Sequence, residues 1–166
     1  MTKFLYATAA VAALTLASTP ALAAPATQNA TATARIVKPL TLTSDRNFDL
    51  GTITLTGSGA TTVSLASDGT FSCPAGNATC VGPRTTAQYV VTGVNNRDVT
   101  VSVEDVVLTN LSDGTLLTLA VDAPATVNLG NSGNAGTSFQ IGGAITVDGD
   151  TTEGTYEGDF EVFVNY

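Results

Sequence analysis

The sequence has 166 residues with six bases, fourteen acids and no histidine, for a formal net charge of −8. An acid-rich chain without a basic cluster repels phosphate backbones and anionic lipid surfaces, which excludes nucleic-acid binding and electrostatic attachment to membranes. The missing histidine removes the Ser-His-Asp and Cys-His routes to nucleophilic catalysis, and the abundance of Thr, Val, Ala and Gly favours strands and turns over helices.

In chain order, Lys3 is followed by an uncharged stretch over 4–24 that contains Pro20 and closes on Ala21-Leu22-Ala23. This is the basic start, apolar middle and small-residue cleavage site of a secretory signal, so residues 1–23 are expected to be removed after Ala23. The strongly apolar part, 4–16, is shorter than the ~20 residues a membrane span needs, and no second stretch of that length follows. The mature chain, 24–166, then carries five bases against fourteen acids, a net charge of −9. Its length suits one domain with a real core.

Residues 30–38 read as an extended segment in which Ala30, Ala32, Ala34 and Ile36 alternate with Thr31, Thr33 and Arg35. Pro39 favours an edge or a bend, and Leu40 and Leu42 continue the pattern. We therefore separate an N-terminal arm, 24–38, from a β domain, 39–166. Strands follow over 48–55, 61–66 and 87–94. The turn Asn95-Asn96-Arg97-Asp98 predicts a hairpin with the next strand, where Val99, Val101 and Val103 alternate with Thr100, Ser102 and Glu104. Cys73 and Cys80 bracket six residues, and in an exported protein that spacing reads as a disulfide closing a surface loop. The chain-entropy contribution of so short a loop is about 2.5 kcal/mol.

Ser112-Asp113-Gly114 turns the chain into a strand carrying Leu117, Leu119 and Val121. The Gly-, Asn- and Ser-rich stretch 128–137 reads as a mobile surface loop. Phe139, Ile141, Ile145 and Val147 share one parity, with Gly142-Gly143 marking a candidate bulge. Asp148, Asp150 and Glu153 are candidate calcium ligands, because Asp-x-Asp followed by Glu presents several oxygens to a hard cation; the same residues also make an ordinary polar turn. No other cofactor is implied. In the last segment Tyr156, Phe160, Val162, Val164 and Tyr166 alternate with Glu157, Asp159, Glu161 and Asn165, with Phe163 as the one breach. Such a strand, apolar to the last residue of the sequence, calls for a covering partner. Asn29, Asn77 and Asn110 each match the short glycosylation pattern.

Eight or nine short strands at even spacing predict an all-β fold, a single antiparallel sandwich. The carboxylates that would serve a hydrolase fall on the polar face of the last strand, which places catalysis third among the functional readings.

The last segment resembles the final strand of chaperone-usher pilins in its alternation, in the aromatic Tyr166, and in Gly154 twelve residues upstream. The wider layout, through Phe48-Asp-Leu-Gly-Thr-Ile and Tyr89-Val-Val-Thr-Gly, resembles a family of exported bacterial domains of unknown function similar to pilins and spore-coat-protein-U-like subunits. The resemblance implies an immunoglobulin-like sandwich lacking one strand. Its groove would be filled first by a periplasmic chaperone pairing with Gly154, Tyr156, Phe160, Val162, Val164 and Tyr166, then, after an outer-membrane usher, by the arm of an identical or related subunit. Ala30, Ala32, Ala34 and Ile36 would be the donor residues, added as a strand at an open edge. The protein would pass through the periplasm to the cell surface as a non-enzymatic structural and adhesive subunit of a fimbria. Alternation alone also allows the arm to pair within its own domain. The remaining reading is a self-contained secreted module that binds glycan or calcium.

Overall fold

The computed structural model describes residues 26–131 and 133–166. The expected signal sequence, its expected cleavage after Ala23 and the first two residues of the arm lie outside the described residues. Ile36–Tyr166 forms one compact unit. The described residues ahead of it, 26–35, carry no strand and are exposed.

The fold is all-β and antiparallel. Its strands are β1 (Thr41–Arg46), β2 (Thr52–Leu55), β3 (Thr61–Leu65), β4 (Phe71–Ser72), β5 (Ala78–Val81), β6 (Ala87–Thr92) and β7 (Asp98–Val103). They continue with β8 (Val106–Asn110), β9 (Leu116–Asp122), β10 (Thr126–Asn128), β11 (Thr137–Val147), β12 (Tyr156–Glu157) and β13 (Val162–Asn165). The largest sheet runs β1-β6-β11-β9-β8-β12, with β3 and β4 joined to it through β11. A second sheet has the order β10-β7-β13, and β2 and β5 form a two-stranded ladder.

β11 organises the large sheet. Thr137 to Ile141 pair with β6, while Gly142 to Val147 carry β9 on one edge and β3 on the other. Register is continuous through Gly142 and Gly143, so the expected bulge is absent. The glycines serve close approach instead: a Cβ on Gly142 would collide with the backbone where Leu65 leads into Ala66 and Ser67. Asp122, which pairs with Gly142, accepts the Ser67 amide at 2.6 Å.

Two apolar clusters lie on this frame. In the first, Ala87, Val91, Phe139 and Ile141 of the large sheet meet Val99, Val101, Val127 and Leu129 from β7, β10 and the residue after β10. Val91 and Ile141 are wholly buried; each such side chain contributes on the order of 2 kcal/mol. In the second, Leu50, Val63, Leu65, Val106, Leu119, Ile145 and Val147 form the core, and Ile53, Leu55, Leu108, Leu117, Phe160 and both cysteines pack on it half-buried.

Several expectations change. No strand forms over 30–38, since alternating alanines and threonines bury too little apolar surface to order a segment, and pairing begins at Thr41. Only Thr52–Leu55 of the segment 48–55 is a strand, ahead of which Asp49 makes an isolated bridge to Thr85. The hairpin across Asn95 to Asp98 is absent, because β6 pairs in the large sheet and β7 in the small one. Only Asn96 there takes a positive φ, whereas a type I′ hairpin turn needs it at both central residues. The stretch 128–137 is not simply a surface loop: it includes buried Leu129 and a short 3-10 helix, Gly133–Ala135. The last strand is split in two, β12 pairing with β8 and β13 with β7, so the chain crosses from one sheet to the other.

Candidate functional site

The second cluster is left open on one side by a groove of about 1370 Å³. Its floor is Leu108, Leu117, Leu119, Ile145 and Val147 from β8, β9 and β11. One wall runs along 47–55 and contains β2; the other runs along 151–160 and contains β12. Among the described residues, β2 is laddered only to β5, β12 only to β8, and β13 only to β7. Strands paired on one side present free N–H and C=O groups on the other. The groove therefore combines an apolar floor, half-buried Ile53, Leu55 and Phe160, and two short wall strands, β2 and β12, each laddered on one side only among the described residues.

The wall at 151–160 is shaped by Asn110. This side chain is 1 % exposed, its Nδ2 donating to the Glu153 carbonyl at 3.0 Å and its Oδ1 accepting from the Ser112 amide at 2.9 Å. Gly154 adopts φ +148°, and any Cβ there would run into the Asn110 amide group. Tyr156 is half-buried and donates through its hydroxyl to the Thr152 carbonyl at 2.8 Å. Phe160 touches both clusters, while Val162 and Val164 sit half-buried against the first. The alternation of the last segment survives the split: Tyr156, Phe160, Val162 and Val164 are half-buried and the odd positions exposed, Phe163 included, with Gly158 an exposed break in the pattern.

Tyr166 is 43 % exposed, yet its hydroxyl is fully used. It donates to the Lys38 carbonyl and accepts from the Val94 amide, both at 2.8 Å. A Cβ on Gly93 would lie 2.6 Å from that oxygen, so glycine opens the space. Arg97 lies over the ring at 5.9 Å. The donor candidates Ala30, Ala32 and Ala34 are exposed, and Ile36 is 95 % exposed.

The cysteines are joined, Cys73 to Cys80. The bridge is local in sequence but not on a mere surface loop. Cys80 pairs with Ile53 in the two-stranded ladder, whereas Cys73 follows β4, which belongs to the large sheet through β3. It therefore ties the β2 wall of the groove to its floor. Asp148, Asp150 and Glu153 do not converge on a cation site; no group of three or more acidic, Cys or His side chains does so among the described residues. Asp148 instead builds a turn, accepting the Asp150 amide at 3.1 Å and the Thr151 hydroxyl at 3.0 Å. Of the glycosylation matches, Asn110 is sealed in the fold.

The family model described as Domain of unknown function (DUF4402) matches residues 40–166. The chain belongs to the DUF4402 family. Comparisons with curated proteins and with solved structures find no match. What the sequence comparison shows is therefore DUF4402 membership, in place of the looser likeness to pilins and spore-coat-protein-U-like subunits. The DUF4402 match begins at Leu40, at the foot of the arm, and takes in the whole groove.

Charge is divided unevenly along the chain. All fourteen acids lie at or beyond Asp45, while 24–38 holds Arg35 and Lys38 and no acid. The DUF4402 body, 39–166, thus sets three bases against fourteen acids, a net charge of −11. Four of those acids, Asp49, Glu153, Glu157 and Asp159, stand along the groove walls, all exposed.

Proposed function

We propose that the protein is a non-enzymatic structural subunit of a fimbria-like assembly at the cell surface, joined by donation of the arm, 24–38, of one copy into the groove of the next. The observation that carries this reading is the groove itself: an apolar floor between walls whose strands are each laddered on one side only. A strand laid there would extend the main-chain ladder and cover half-buried Leu108, Leu117, Ile53 and Phe160, which is the physics of strand addition. The body would then be an immunoglobulin-like sandwich completed in trans. Charge supports the occupant, since an arm of net charge +2 meets walls lined by carboxylates. Export is supported by the signal pattern and by the disulfide. No described helix is long and apolar enough to cross a membrane. A periplasmic chaperone that occupies the same groove, and an usher that exchanges it for the arm, belong to this reading.

The test is light scattering on the mature protein after size-exclusion chromatography, with and without a synthetic peptide of residues 24–38. Assemblies that shorten as the peptide is added are expected, the peptide capping free grooves. A monomer indifferent to the peptide would remove strand donation and return attention to a self-contained glycan-binding module.

A further inference from the structure

Most of the arm is poorly suited to fill an apolar groove. Ala30, Ala32 and Ala34 offer one methyl each, and only Ile36 on that face has bulk. Ile36 is also the most exposed large apolar side chain, 95 % accessible, on a body whose backbone is already fastened two residues later, where Tyr166 holds the Lys38 carbonyl. Pro39 restricts Lys38 further to extended conformations. The residue beside it, Arg35, is exposed and falls on the opposite parity. With Ile36 directed at a groove floor, Arg35 would face outward, toward the level of wall carboxylates such as Glu157 and Asp159.

We infer that recognition between copies is concentrated at the root of the arm, with Ile36, two residues from the Tyr166–Lys38 contact, as the apolar anchor and Arg35 as the charge-reading residue. The partner is a second copy of this chain, and the inference rests on the strand-donation reading above. Ile36 lies at most ~7 Å along the chain from Lys38, so seating it in a neighbour brings the two bodies into contact. The alanines then serve mainly to extend the ladder.

The experiment measures the concentration at which the full mature chain is half assembled, by light scattering, for the parent, Ile36→Ala, Ala34→Gly and Arg35→Gln. Ile36→Ala removes three carbons from the anchor and is expected to raise that concentration roughly fiftyfold, against about fourfold for Ala34→Gly. Its own fold is not at stake, because the side chain is exposed. The parent and Ile36→Ala are expected to weaken as salt rises from ~0.05 to ~0.5 M, and Arg35→Gln to lose most of that dependence. Assembly of Ile36→Ala at the parental concentration, or an unchanged salt response in Arg35→Gln, would overturn the inference while leaving strand donation intact. A parent that stays monomeric throughout would overturn both.

Discussion

The sequence Ser-Asp-Gly-Thr occurs twice, at 67–70 and 112–115, and both copies fold alike. Asp68 accepts the Thr70 amide at 2.8 Å and Asp113 the Thr115 amide at 2.9 Å, while Gly69 and Gly114 take φ of +85° and +77°. Each turn closes a hairpin, β3–β4 and β8–β9. The Thr amides, donating to the charged form, hold both carboxyls below their ordinary value of 3.8. A carboxyl depressed on folding stabilises above its unfolded value, and that contribution disappears as pH falls through the lower folded one. Asp68→Asn/Asp113→Asn, which keeps an acceptor but cannot titrate, should therefore lose less stability than the parent between pH 5 and pH 2 in urea unfolding; equal losses would refute the assignment. The second of these turns was legible as Ser112-Asp113-Gly114. The first has identical residues, but no clear alternation follows it: β4 is only two residues long.

At the scale of elements, alternation located β3, β6, β7, β9 and β11 within a residue or two, since a strand with one buried face writes period two into its own sequence. Pairing was less legible. Val99 and Val101 point to a core in either sheet, and nothing local says that β7 will leave β6 to pair with β10 and β13. The disulfide shows the same division. Its pairing followed from two cysteines in a chain expected to be exported, but its position between groove wall and floor depends on β5 finding β2. Replacing both cysteines by serine should cost about 2.5 kcal/mol of stability by loop entropy. Amide exchange should quicken in Thr52–Leu55 and Ala78–Val81 ahead of β7 and β10; uniform quickening would mean that the bridge stabilises the domain without securing the wall.

For the molecule as a whole, the open groove means that a single copy leaves apolar surface unpaired that an added strand would cover. Assembly by the strand donation proposed above would stabilise the native state by mass action, so the thermal midpoint should climb with protein concentration and with added peptide 24–38. A midpoint independent of both would indicate a closed domain. The all-β, antiparallel character was legible throughout from composition and strand rhythm. The groove was not legible in the residues themselves, because its walls, 47–55 and 151–160, come together only through the pairing of strands distant in sequence. The arm's opposite charge was visible all along in the placement of fourteen acids, none before Asp45.

Asn110 carries one last consequence. Its Asn-Leu-Ser context matches the glycosylation pattern, yet the folded side chain is enclosed and both ends of its amide are engaged. A sugar at this position and the native β8–β9 turn cannot coexist. In a eukaryotic secretory host a glycan on Asn110 would thus label chains caught before folding, whereas exposed Asn29 could carry one on a native molecule.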